Sequence, residues 1–302
     1  MKFLSKGELR AALVARRVDD HKGTFGHVLI AAGSRGMAGA SILCARAALR
    51  SGAGLVTLAV PASLQAAVAG HVPEALTLGL PENSAGCLRP DGVGRLKAAH
   101  KERQYSVLAI GPGLSQNPDT QRFVLLALAS LPVPAVIDAD ALNILAGEDD
   151  PGVRELMGAR KEPCVLTPHP GEAARCLKTS TRAVMADREA AALRLARDWS
   201  AVTLLKGHRS LVSDGERVLA NATGGAGLAK GGTGDVLTGL IAGLWAQMLA
   251  SSRVEGKTAF LAAALGAHLH GLAGDAAEKR LGPHAMTAQD VVESLGEAFS
   301  RL

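Results

Sequence analysis

At 302 residues the chain has the length for one large α/β sheet wrapped by helices in a single core, and its formal charge of +5 is modest for that size. Hydrophobic residues make up 48% of it but aromatics only 3%, and there are 35 glycines, so the core must be Ala, Val and Leu packed at close helix-to-sheet distance. Lys and Arg are scattered and not gathered in a tract, which argues against a nucleic-acid interface.

The amino-terminal MKFLSKGELR carries charges where a secretory leader needs an apolar run. No segment reaches ~18 uninterrupted apolar residues, so a soluble, cytoplasmic protein is expected. HVLIAA at 27–32 reads as the first strand, ASILCARAALRSGAG as a helix ending in glycines, and LVTLAV at 55–60 with Pro61 as the next strand and its stop, a βαβ unit. Cys44, Cys87, Cys164 and Cys176 show neither zinc spacing nor a disulfide framework. No Asp or Glu lies between Asp20 and Glu74, a window holding Lys22, Arg35, Arg46 and Arg50. It suits either an anionic ligand or a buried, Ala-rich stretch.

Further strands read at SVLAIG 106–111, PAVIDA 134–139, CVLT 164–167 and VTLLKG 202–207, each running into a loop of Gly, Pro, Asp or His. In parallel sheets such loops converge at the carboxyl ends of the strands, where ligands sit. RSLVSDGERVLA reads as a hairpin about SDGE, and helices at about 234–250, 256–277 and 287–300 finish the chain. No repeat or linker divides it, so 1–302 is expected to be a single α/β domain with its core at about 20–298.

The strongest motif is GGAGLAKGGTGDVLTGLIAGL at 224–244, a glycine run opening directly into a helix. Backbone amides of Gly232, Thr233 and Gly234 can turn toward one phosphate there, and the helix N-terminus adds positive potential. Asp235 at the helix start is either an N-cap or a base placed to take a proton from a hydroxyl. The motif is not a Walker loop, because Lys230 precedes the glycines. GSRGMAG after the first strand is spaced GxxGxxG, and LVTLAV ends without the acidic residue of a dinucleotide fold. In LTPHPGE, Pro168 and Pro170 restrict His169 to one directed hydrogen bond, and Glu172 is either a helix cap or a metal ligand. Asp140 reads as a cap, while Asp138 stays open between capping and a place near magnesium and phosphate. His268 and His270, on a late helix, are expected in the core or on the surface.

The GGTGD segment resembles the anion hole of the ribokinase-like superfamily, and the match narrows. AGSRGMAGA at 32–40, IGPGLS at 110–115, VIDADALN at 136–143, LTPHPGE at 166–172, LLKGHRS at 204–210 and LAKGGTGD at 228–235 occur in this order. Together they resemble the ADP-dependent NAD(P)H-hydrate dehydratase family, over about residues 20 to 298. The resemblance implies a three-layer, mostly parallel α/β/α fold. It also implies a lyase that returns the S epimer of hydrated NADH or NADPH to NAD(P)H at the expense of ADP or ATP, with Mg²⁺.

By the same resemblance Ala40, Gly113, His169 and Asp235 contact the hydrate, with Asp235 catalytic. The loop Lys206, Gly207, His208, Arg209 and Ser210, with Gly232, Thr233 and Gly234, takes the adenine nucleotide. The metal ligands are left unassigned. Ser210 stands where threonine is more usual, and Gly225 where relatives often carry Asn. A homotetramer is implied, working with a separate epimerase, since the fused epimerase domain of some relatives is not seen here. The alternatives from the residues are a ribokinase-like kinase of a vitamin-precursor alcohol of thiazole or pyrimidine type, and an idle nucleotide sensor that would need no base.

Overall fold

Short, fully apolar runs separated by helical segments can hide their backbone polar groups only by pairing side by side between two layers of helices. In the computed structural model, which describes residues 2–3, 5–147, 151–251, 253 and 257–302, they do so as one ten-stranded sheet. Its strands are β1 (Lys2–Phe3), β2 (His27–Ala31), β3 (Leu55–Pro61), β4 (Leu76–Leu80), β5 (Val107–Ile110), β6 (Ala135–Ile137), β7 (Cys164–Leu166), β8 (Val202–Leu205), β9 (Leu211–Ser213) and β10 (Val218–Ala220). The spatial order is β1-β10-β9-β8-β7-β6-β5-β2-β3-β4. Only β9 runs against its neighbours, and β9 and β10 are the expected hairpin. The two strands that the sequence pattern did not reveal, β1 and β4, are the two edges of the sheet.

Alternate residues of each strand feed two cores. Val28 and Ile30 face the layer of the helices Ala38–Arg50, Thr233–Ser251, Thr258–Ala285 and Ala288–Ser300. Leu29 and Ala31 face the layer built from the segments between β4 and β8. The fold is therefore the mostly parallel, three-layer, ribokinase-like α/β/α arrangement. The helix read from 256 begins at Thr258 in the described residues, position 256 lying outside them, and continues past 277 to Ala285. Gly282, at φ 78°, and Pro283 break its last turn. Among the described residues no helix is long and apolar enough to cross a membrane.

Glycine sets how closely the layers approach. A Cβ on Gly239 would stand 1.9 Å from the carbonyl oxygen of Cys44, so the helices Ala38–Arg50 and Thr233–Ser251 touch backbone to backbone. Gly239→Ala should therefore lower the stability read from denaturant unfolding by about 1–3 kcal/mol, the usual cost of forcing extra volume into a packed core. An unchanged midpoint would show that the two helices separate freely.

The chain runs from β2 out to β3 and β4, then crosses to β5 on the other side of β2. The sheet thus has a switch point between β2 and β5, where loops leave in opposite directions and open a crevice. The loops after β2, β5, β6, β7 and β8 all lie at that carboxyl end.

Candidate active site

The first glycine loop and the loop after β5 are locked together. Gly33 N–H donates to the Pro112 carbonyl at 2.8 Å, and Ser34 Oγ donates to the Gly113 carbonyl at 2.9 Å. A Cβ on Gly113, at φ 61°, would fall 2.9 Å from the Ala40 methyl, so these two residues form one small, partly exposed surface where any larger side chain would intrude. Arg35 and Arg46, from the stretch without acids, donate to the carbonyls of Ser84 and His71. Those two cations hold loops in place.

β6 ends at Ile137, and Ala139 then takes the left-handed conformation at φ 50°, which turns the chain straight into a helix and leaves Asp138 at the corner. Asp138 is 1% exposed. Its Oδ1 accepts from Lys206 Nζ at 2.8 Å and its Oδ2 from Thr238 Oγ1 at 2.7 Å. The residue left open by its motif is thus the link between the loop after β8 and the helix of Asp235. Asp140 lies in the first turn of its helix, but its carboxylate accepts the Ser115 amide at 2.8 Å, so it ties down the loop after β5 where a cap was expected.

At the end of β7, His169 is the N-cap of the helix Pro170–Cys176, and Glu172 closes a capping box by accepting the His169 N–H at 2.8 Å. Of the two expectations for Glu172, this is the cap. Its Oε2 also lies 3.8 Å from Lys206 Nζ. Lys206 therefore sits among Asp138, Glu172 and, by its field, Asp235; burial pulls its pKa down, but these carboxylates outweigh that and leave it above the ordinary lysine value.

Asp235 lies in the first turn of the helix Thr233–Ser251. Burial drives its carboxyl up to about 7, Asp138 adds to the rise and Lys206 opposes it. Glu172 is raised to about 7 chiefly by burial, against Lys206 and with Asp138. A carboxyl poised near neutrality beside an anion loop is what a general base requires.

The loop before Asp235 is held open by its surroundings. Gly232, at φ 90°, supplies the left-handed turn, and Thr233 Oγ1 donates to the carbonyls of Leu228 and Lys230, both at 2.9 Å. Lys230 is tied to the carbonyls of His284 and Met286, at 2.5 and 2.6 Å, so it acts as a strut for the loop. Asp275 and Glu278 accept the amides of Gly224 and Gly227. A Cβ on Gly225 would come 2.4 Å from Glu278 Oε2, so a side chain there would displace that carboxylate.

Next to this loop opens a cavity of about 540 Å³. Lys206, Gly207, His208, Ser210, Thr233 and Gly234 line it, whereas Gly232 and the exposed Arg209 do not. Ser210 Oγ donates to the Gly207 carbonyl at 3.0 Å, so the hydroxyl closes its own loop. The opposite wall includes Asn221, Thr223, Leu237, Ala267 and His270. His270, expected only as core or surface, donates from Nε2 to the Thr233 carbonyl at 2.9 Å; burial drops its pKa to about 4, so it stays neutral and steadies the anion loop. Nothing in its own helical pattern marks it.

Among the described residues, no group of three or more His, Cys, Asp or Glu side chains could hold a metal by itself. Asp138 and Glu172 are committed to Lys206, Thr238 and the His169 amide. An Mg²⁺ bound there would have to take its ligands mainly from phosphate oxygens and water, the usual manner for that ion.

A family model described as NAD(P)H-hydrate dehydratase matches residues 28–296. The chain belongs to that family. It is 46% identical over 296 residues to the bifunctional NAD(P)H-hydrate repair enzyme of Moorella thermoacetica, a match covering 97% of this chain and 53% of that protein. The chain thus spans about half the length of the bifunctional relatives it matches. With the ADP-dependent (S)-NAD(P)H-hydrate dehydratase of Neisseria meningitidis it shares 38% identity over 274 residues, 89% of this chain and 82% of that one. The ADP/ATP-dependent NAD(P)H-hydrate dehydratase of Bacillus subtilis, crystallised with ATP and Mg²⁺, matches in structure with a TM-score of 0.82 at 30% identity, covering 99% of this chain and 98% of that chain.

Proposed function

We propose that this chain dehydrates the S epimer of hydrated NADH or NADPH, using ADP or ATP with Mg²⁺. The observation that supports the reading is the closeness of the Gly232–Gly234 turn, which leads directly into Asp235, to Lys206: a Cβ on Gly234 would stand 3.4 Å from Lys206 Nζ and 3.8 Å from Asp138 Oδ2, and the fields of Lys206 and Asp138 act on the Asp235 carboxyl. A carboxyl, a glycine turn at a helix N-terminus and a cation lie together there; the Thr233 N–H is donated to the Lys230 carbonyl at 3.5 Å, which leaves the amides of Gly232 and Gly234 for a phosphate. The nucleotide takes the cavity along Lys206–Ser210 with its phosphates toward Gly232–Gly234, and the hydrate takes the surface of Ala40, Gly113 and His169.

Asp235 accepts the proton of the ring hydroxyl as its oxygen bonds to the terminal phosphorus and the bond from that phosphorus to the nucleotide breaks. Lys206 and the loop amides hold the charge that accumulates on the phosphoryl oxygens, and Mg²⁺, when bound, neutralises it further. The carbon–oxygen bond then breaks, phosphate leaves with the bonding pair, and the adjacent carbon gives its proton to that phosphate or to water as the C–H pair becomes the ring double bond. We further propose that the chain acts as a cytoplasmic homo-oligomer, a tetramer, on substrate epimerised by a separate activity.

The test is to mix hydrated NADH with ADP or ATP and Mg²⁺ and follow the reduced-nicotinamide absorbance. Its return supports the reading; a stable phosphorylated alcohol without that return would support a kinase instead.

A pH dependence follows. The base works only when ionised, so kcat/KM should rise with pH about a midpoint near 7. Asp235 and Glu172 both have folded pKa values above their ordinary 3.8 and 4.5, so the stability they contribute is present below about pH 4 and is lost as pH rises through about 7. Melting temperature measured across that range should fall less in Glu172→Gln than in wild type.

A further inference from the structure

A helix N-terminus leaves backbone N–H groups without partners, and in the helix Pro170–Cys176 an imidazole takes them. Nδ1 of His169 accepts from the Gly171 amide at 3.0 Å and from the Glu172 amide at 3.4 Å. A ring nitrogen that accepts N–H groups carries no proton of its own. The neutral ring must then hold its hydrogen on Nε2. Burial, with the positive fields of Lys206 and Arg175, lowers the His169 pKa, which keeps the ring neutral at physiological pH.

The side chain is 51% exposed, so a ligand can reach it. Glu172, itself 5% exposed, fixes the rest: Oε2 accepts the His169 backbone N–H at 2.8 Å, and Oε1 stands 3.4 Å from Nε2. The same carboxylate reaches toward Lys206 at 3.8 Å. One buried group therefore touches both the hydrate histidine and the nucleotide lysine.

We infer that His169 engages the hydrate only as a hydrogen-bond donor, through Nε2–H, the two amides on Nδ1 fixing that tautomer, and that Glu172 is the positioning residue that holds the His169 backbone and joins it to Lys206. The inference rests on the reading of His169 as a hydrate contact. A donor of this kind meets an acceptor oxygen of the hydrate and cannot collect the carbon-bound proton released in elimination, so that proton goes elsewhere.

In ¹⁵N-histidine-labelled, ligand-free protein, the His169 imidazole should show a bare Nδ1 and a protonated Nε2, assigned by its disappearance in His169→Asn. Glu172→Gln should keep that tautomer and raise the hydrate KM about five- to tenfold, the worth of one hydrogen bond, with a smaller effect on kcat and on nucleotide Kd. His169→Asn retains an N-cap acceptor, and its loss should also fall on KM. A protonated Nδ1 in the wild type overturns the inference. So does a Glu172→Gln protein with the wild-type KM, or a His169→Asn protein whose kcat drops by ~10² or more at constant KM, the mark of a lost base. Should Glu172→Gln fail to fold, the wild-type spectrum still decides. That spectrum requires no turnover, so failure of the dehydratase reading would appear separately, as absence of NADH return.

Discussion

Asp235→Asn should lower turnover by ~10²- to 10⁴-fold while hydrate and nucleotide affinities stay close to wild type, because a positioned general base is removed without changing the size of the side chain. Asp235 is the third residue of its helix and not the N-cap, as one reading of the sequence had it, and Asn has nearly its size, so the fold should tolerate the change. It should gain slightly at alkaline pH, since a buried carboxyl raised to about 7 must ionise there against its surroundings and an amide need not. The rise of kcat/KM near pH 7 should vanish in the variant. Assays of NADH return from its hydrate, run beside a melting curve, check both points. A variant that keeps more than about a tenth of the wild-type rate would show that Asp235 is not the base.

The strands that position this site were legible because each is a mostly apolar, almost wholly buried run, and the motifs at their ends were legible because Gly and Pro occur where the backbone must turn. β4 escaped notice because LTLGL is half-exposed at one edge and holds a glycine, and β1 because two residues form no pattern. The partnerships within the site were hidden for a different reason. Asp138 finds Lys206 at a separation of 68 residues and Thr238 at 100, and His270 finds Thr233 at 37, distances over which no local spacing rule operates. Glu172 could be read as a cap from PHPGE alone, but its second contact, with Lys206, exists only because β7 and β8 are neighbours in the sheet. Asp138, Glu172 and Lys206 are paired with one another at this corner, the condition under which buried ions are tolerable, while Asp235 feels them only through their fields. Phosphate arriving at Lys206 would therefore enter a balance of charge already built around that lysine.

Gly234→Val should weaken adenine-nucleotide binding by about 10- to 150-fold, the equivalent of one or two hydrogen bonds from the loop to a charged phosphate, and should abolish measurable turnover at ordinary nucleotide concentrations. The left-handed turn in this loop belongs to Gly232, at φ 90°, and Gly234 is not among the glycines with positive φ, so a side chain at 234 meets no backbone penalty. A Cβ there has only ordinary contacts, 3.4 Å from Lys206 Nζ and 3.8 Å from Asp138 Oδ2. In the proposed nucleotide mode the branches of valine would take up space beside Lys206 Nζ that the phosphate needs. Gly234→Ala should accordingly fold and retain part of the affinity, and Gly232→Val should instead lose stability, since its Cβ would lie 2.7 Å from Leu43 Cδ1 and would take a strained φ. Calorimetric titration with ADP and with ATP, set beside melting curves for the three variants, separates blocked access from damaged backbone. Wild-type nucleotide affinity in a folded Gly234→Val protein would remove this loop from the phosphate site, and with it the ground for placing Asp235 next to the transferred group.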